Sequence, residues 1–192
     1  MEEIKEAIRV AQTETNRRFT IADISGWDGR WELIDGVPFN MTPAPSTAHQ
    51  RIVVELLFAL RTHFGKSGCT VFVAPFDVQL DENDQYTVVQ PDISVFCEKQ
   101  TLQPNRAIGV ADLIVEVLSP STALKDRNEK FTLYERSGVK EYWLVDPLNL
   151  TIEVYALTDG LYSRRQVVGV DDTLHSFIFT ELSIEMKSIL QG

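Results

Sequence analysis

Cysteine is scarce in this chain: Cys69 and Cys97 are the only two among 192 residues. Two thiols cannot build a disulfide framework, and they lack the CxxC spacing of a zinc or redox motif. They are expected to be reduced and mostly buried, as in a cytosolic protein. Long apolar runs are lacking too. The greasiest stretch, IVVELLFAL, is nine residues long and contains Glu55, so no membrane span is expected. The N-terminal MEEIKEAIRVAQTE has no apolar h-region and does not read as a signal peptide, which makes the expected location cytoplasmic. Gly and Pro number only 10 and 8, too few for a collagenous or low-complexity chain. Positive charge is also short, with 18 Lys and Arg against 28 Asp and Glu for a net charge of −10. Neutralising nucleic-acid phosphates needs clustered Lys and Arg, so this balance counts against an extended nucleic-acid surface.

What is present is a globular composition, 44% hydrophobic and 24% charged, expected to form a single domain over residues 1–192. A helix is expected at 2–14. RWELIDGVPFN reads as a hairpin, because alternating residues flank Asp35-Gly36, a strong hairpin turn signal. After a loop at Pro43 to Thr47, with Ser46 or Thr47 as cap, Val53, Leu57, Leu60 and Phe64 are spaced for one buried face of a helix over 48–64. CTVFVAPFDVQL and YTVVQPDISVFCE read as strands interrupted by Pro75 and Pro91. DLIVEVLSP reads as a strand buried on both faces. SPST is expected to cap a helix over 122–137 that Gly138 closes, and KEYWLVDP is a further buried strand. Residues 112–146 therefore form a β-α-β unit with parallel strands and a right-handed crossover. TIEVYALTDGLYSRRQVV is a hairpin around Asp159-Gly160, followed by a short strand or helix. The fold class is α/β: a central mixed sheet flanked by helices, with hairpins at its edges.

Three carboxylates break the apolar pattern. Strand alternation puts Glu116 on the same face as Ile114 and Leu118, where an unpaired charge costs several kcal/mol unless a metal, a lysine or a proton accompanies it. Asp92 opens the apolar strand Ile93 to Phe96, directly after Pro91. Glu32 sits between Trp31 and Leu33. On the helix after the Glu116 strand, with Leu124 and Phe131 facing inward, Lys130 falls on the rim, about 40° beyond Tyr134. Two carboxylates on neighbouring strands plus a lysine make a hard-cation site suited to Mg²⁺ or Mn²⁺. Such a site polarises a phosphodiester and helps generate hydroxide. Ser119 and Ser121 sit in no GxSxG elbow, and no P-loop, GxGxxG or HExxH occurs.

The ordered set WELIDG, a Pro-rich loop with His49, QPDISVF, LIVEVLSPST, a helix carrying Asp126, Lys130 and Tyr134, and GVKEYWLVDP resembles the Uma-type family of restriction endonucleases in the PD-(D/E)XK nuclease superfamily. The likeness runs from about residue 19 to 156. It implies a restriction-endonuclease-like core in which Asp92 and Glu116 are metal ligands and catalytic residues. Glu32 matches the superfamily's N-terminal carboxylate, a further ligand, and His49 a phosphate or metal contact. Where the superfamily pattern has lysine two residues after the glutamate, this chain has Leu118. The family supplies the lysine from the next helix, where Lys130 stands.

The function expected is a metal-dependent endonuclease acting on nucleic acid, DNA foremost. The alternatives are a catalytically silent nucleic-acid-binding or regulatory module retaining the fold, and a phosphodiesterase for small nucleotides. Basic residues group at Arg17-Arg18, Lys125-Arg127-Lys130 and Arg164-Arg165, and in one cleft they would offset the global charge locally. A two-fold homodimer is expected, with VFVAPF and LTIEVYAL as candidate apolar edges.

Overall fold

The computed structural model describes residues 17–41, 44–65, 67–97 and 101–191; the helix expected at 2–14 lies outside them. A six-stranded sheet forms the centre. It is built from β3 (Thr70–Val73), β5 (Ile93–Phe96), β8 (Leu113–Val117), β9 (Glu141–Asp146), β10 (Thr151–Thr158) and β11 (Leu161–Val168), in the order β11-β10-β9-β8-β5-β3. Only β8 and β9 pair in parallel within it; the other neighbours are antiparallel. The β-α-β unit expected at 112–146 is therefore present, and the sheet is mixed.

Helices cover both faces. Helix α2 (Thr47–Phe64) is capped by Ser46, whose side chain accepts a bond from the His49 amide. It buries Ile52, Leu56 and Leu60 against Val95, Val115, Val117 and Trp143, with α5 (Met186–Leu190) on the same face. The opposite face packs Ile114, Tyr142 and Leu144 against Leu133 and Tyr134. These two come from α4 (Glu129–Ser137), which ends at Gly138 in the left-handed conformation with φ 87°. Alternation along β8 thus turns Glu116 toward α4 together with Ile114, as the sequence pattern requires.

Hairpins complete the molecule. β1 (Trp31–Ile34) and β2 (Val37–Asn40) meet at Asp35-Gly36, whose φ values of 53° and 81° suit the turn that matches strand twist. Asp159-Gly160 does the same for β10 and β11. A helical turn, α1 (Ile21–Ile24), precedes the first hairpin. β4 (Asp77–Gln79), β6 (Thr101–Gln103) and β7 (Arg106–Ile108) form a small separate sheet, and β12 (Thr173–His175) pairs with β13 (Ser183–Glu185).

Several expectations need correction. CTVFVAPFDVQL is two strands: it breaks at the cis Ala74-Pro75 bond into β3 and β4, which belong to different sheets. In YTVVQPDISVFCE only Ile93–Phe96 joins the central sheet, while Val88 and Val89 make single bridges to Leu33 and Val78. The helix over 122–137 is two pieces, α3 (Ala123–Arg127) and α4, broken at Asn128 with φ −120° and ψ −77°. Thr122 makes no side-chain cap bond to α3; its hydroxyl sits 3.0 Å from that of Ser119 instead. The break rotates one piece against the other, so Leu124 is 78% exposed rather than inward-facing. LTIEVYAL is no edge, since β10 lies between β9 and β11. The cysteines are not free thiols but form a Cys69–Cys97 disulfide. The β3–β5 register sets Thr70 opposite Phe96, which brings the next two residues face to face with Cα atoms 4.0 Å apart. Sequence spacing alone carries no sign of that register.

Candidate active site

Glu32, Asp92, Glu116 and Lys130, scattered over a hundred residues, converge at one cleft. β1 brings Glu32 and β8 brings Glu116, while Asp92 stands at the entry to β5. The crossover helices supply Lys125, Asp126, Lys130 and Tyr134. The cleft, of about 540 Å³, is lined by Asp92, Glu116, His49, Lys125, Asp126 and Lys130, among others.

Lys130 occupies the centre. Its ammonium donates to Glu116 Oε1 at 2.7 Å and lies 2.6 Å from Glu32 Oε1 and 3.9 Å from Asp126 Oδ1. The side chain is 1% exposed, so Lys130 lies inside the acid cluster and not on the rim where an unbroken helix would put it. Burial alone would lower its pKa, but Glu116, Glu32 and Asp126 outweigh that and hold it well above the ordinary lysine value. Lys130 is therefore a permanent cation.

Glu32 is fully buried. Its Oε1 also accepts from the Gln90 amide at 2.8 Å, and its Oε2 accepts from Lys125 Nζ at 2.5 Å. Burial pushes its pKa up, yet Lys130 and Lys125 together hold it below the usual glutamate value. Both oxygens are engaged, so Glu32 enters the site as the acceptor that joins two lysines.

Glu116 differs. Oε1 accepts from Lys130 and, at 2.7 Å, from the Tyr134 hydroxyl. Oε2 has no hydrogen bond among the described residues. Burial dominates its titration: despite Lys130, desolvation aided by Asp126, Asp92 and Glu32 pushes the carboxyl up to about 8. Asp92 is held similarly by one oxygen. Oδ2 accepts from the Val117 amide at 2.8 Å and lies 3.1 Å from His49 Nε2, leaving Oδ1 without a bond among the described residues. His49 Nδ1 and Asp126 Oδ1 are buried without a hydrogen bond among the described residues, and burial raises the Asp126 pKa against the pull of Lys130.

Among the described residues no group of three or more His, Cys, Asp or Glu side chains is assembled as a metal cage. Besides His49 Nδ1 and Asp126 Oδ1, the open donors are two carboxylate oxygens, one on Asp92 and one on Glu116. A small hard cation is commonly bound by just such a pair, with water and substrate phosphate completing the shell. The donor set therefore fits Mg²⁺ or Mn²⁺.

The sequence places Lys125 in a basic group and offers it as the lysine that serves the site if Lys130 does not, but carries no sign that both would meet at Glu32. On a continuous helix Lys125 and Lys130 would point about 140° apart; the break at Asn128 aims both at Glu32. The other basic groups do not join them. Arg127 pairs with Glu153 at 2.6 Å, Arg164 with Glu153 at 3.3 Å and Arg17 with Asp23 at 3.3 Å. Arg18 stacks on Tyr86 and Arg165 on Phe177.

The chain is similar to several known proteins. The uncharacterized proteins slr1290 and sll1609 of Synechocystis sp. (strain ATCC 27184 / PCC 6803 / Kazusa) are 32% and 31% identical to the chain over 129 and 127 residues. Those matches cover 67% and 65% of this chain, and 66% and 70% of the two relatives. A crystal structure of a protein from Anabaena variabilis ATCC 29413, titled a putative nuclease belonging to DUF820, superposes with a TM-score of 0.72 at 19% identity. It covers 90% of this chain and 98% of its own. The fold is restriction-endonuclease-like. With residues 19–187 matching the Uma2 family, described as putative restriction endonuclease, the chain belongs to that family, a membership that supports a nuclease-like function.

Proposed function

We propose that the protein is a divalent-metal-dependent endonuclease hydrolysing phosphodiester bonds of nucleic acid, with DNA as its substrate. One observation carries the reading: Asp92 and Glu116 line one cleft, and each keeps a carboxylate oxygen free while the other is held by protein donors. These two residues would hold Mg²⁺ or Mn²⁺, which when bound polarises the phosphate and lowers the pKa of water. The Val117 amide fixes Asp92, and Lys130 with Tyr134 fixes Glu116, so neither carboxylate must reorganise when a cation arrives. Glu32 keeps both lysines in place beside them. His49 orients Asp92 from the start of α2.

A cytoplasmic location and a homodimer complete the proposal. Val71 to Val73 of the VFVAPF segment lie on the edge strand β3, and light scattering at micromolar concentration should report twice the chain mass of 21.8 kDa. The decisive test is cleavage of DNA and RNA with Mg²⁺ or Mn²⁺, with Asp92→Ala as the control. Cleavage lost in the variant supports the reading, and a wild type inert on every substrate rejects it. The competing reading, a silent binding or regulatory module, is favoured by the net charge of −10 and by Arg127 and Arg164, which pair with Glu153 instead of lining the cleft. An inert wild type that still shifts labelled DNA would select it.

A further inference from the structure

We infer that Lys125, not Lys130, is the cation that meets the phosphate of the substrate, an assignment that rests on the nuclease reading above. Both lysines line the cleft and both bind Glu32, but their situations are unequal. The Lys130 ammonium lies among three acids, within 2.7 Å of Glu32 and Glu116 and 3.9 Å from Asp126. Turning it toward a substrate would strip the cation from two buried carboxylates at once, which is strongly unfavourable.

Among the described residues Lys125 forms an ion pair with one acid, Glu32. Its other close acceptor is Met41 Sδ at 3.3 Å, a weak one, and its ammonium lies over the Phe39 ring, 5.5 Å from the centroid. The side chain is 10% exposed against 1% for Lys130. If Lys125 swings away, Glu32 keeps Lys130 and the Gln90 amide on Oε1, so the carboxylate retains a cation and only Oε2 gives up its donor. One lysine is thus the fixed counter-ion of the site, and the other is free to exchange a carboxylate for a phosphate. Lysine suits that exchange, being a compact charge on a flexible stem.

The test compares Lys125→Met, Lys125→Arg and wild type for cleavage of a labelled oligonucleotide with Mn²⁺. Calorimetric Mn²⁺ binding and melting temperature are measured in parallel. Lys125→Met is expected to lose about 10²-fold in rate, the scale of one lost transition-state donor, while Mn²⁺ affinity stays near wild type and the melting temperature falls only by what one unmet oxygen of Glu32 costs. The slope of oligonucleotide affinity against salt should fall by roughly 0.7–0.9, one phosphate contact. Lys125→Arg, which keeps the charge, should recover part of both losses. A Lys125→Met protein that cleaves at the wild-type rate overturns the assignment. So does one whose rate and Mn²⁺ affinity fall together, since Lys125 would then only brace Glu32. A wild type that cleaves nothing rejects the nuclease reading first, and this assignment with it.

Discussion

Two glutamates are buried in neighbouring parallel strands of the same sheet, Glu116 in β8 and Glu141 in β9. Burial raises both carboxyls. Glu141 nonetheless has its acceptor capacity filled by neutral donors. Oε1 accepts from Trp143 Nε1 at 2.6 Å, and Oε2 from Ser176 Oγ at 3.0 Å and from the Phe177 and Ile178 amides at 2.9 Å. It fastens the segment after β12 to the end of the sheet. Glu116 has donors on one oxygen only, keeps the other open, and lines a cleft. A buried carboxylate by itself therefore marks no site; a carboxylate left half-satisfied at a cleft does. Asp112 falls with Glu141, its oxygens taken by the Cys97 amide and Lys140, both at 2.7 Å.

The sharpest break of this comparison is a paired substitution. Glu116→Gln should lower cleavage by at least ~10³-fold, on the scale of removing a preorganised electrostatic group, and weaken Mn²⁺ binding. Glu141→Gln should leave both untouched. If both variants lose Mn²⁺ affinity equally, the distinction fails. Next in size, Lys130→Met leaves Glu32 and Glu116 buried without their shared cation and should cost ~3–5 kcal/mol in urea unfolding. Glu141→Ala strands four donors and should cost ~1–3 kcal/mol, since each unmet donor is only partly rescued by water, with Mn²⁺ affinity unchanged in calorimetry.

A separate prediction concerns pH. Glu116 titrates near 8 when folded against 4.5 in its ordinary state, so the folded protein binds this proton more tightly than the unfolded chain does. Its contribution to stability is full below about 4.5 and is lost as pH rises through about 8. Because a metal must displace the same proton, Mn²⁺ affinity should fall about tenfold per pH unit well below 8 and level off above it. Glu141 is shifted in the same direction, but Mn²⁺ should leave its share of the stability profile alone. Thermal melts across pH with and without Mn²⁺ separate the two.

The sequence rule that singles out Glu116, a charge inside an apolar strand, applies equally to Glu141, yet KEYWLVDP reads simply as a buried strand. The rule finds carboxylates that need partners and cannot say who the partners are. Those of Glu141 lie 35 to 37 residues downstream apart from Trp143, and the amide of Gln90 that holds Glu32 lies 58 residues away. Lys130 was legible as a site residue through the family pattern. Its burial was not, because the helical wheel assumed a helix that Asn128 interrupts.

By itself the sequence determined whatever depends on local periodicity and turn chemistry: the Asp35-Gly36 and Asp159-Gly160 hairpins, the parallel β8–β9 unit, and the face on which Glu116 lies. Backbone sterics and strand alternation act within a few residues, so those features are written in short windows. Tertiary structure decided the Cys69–Cys97 bond, the meeting of Lys125 and Lys130 at Glu32, and which buried carboxylates keep an open oxygen. Hydrogen-bond saturation is a sum over donors from distant segments, and only the assembled fold completes it.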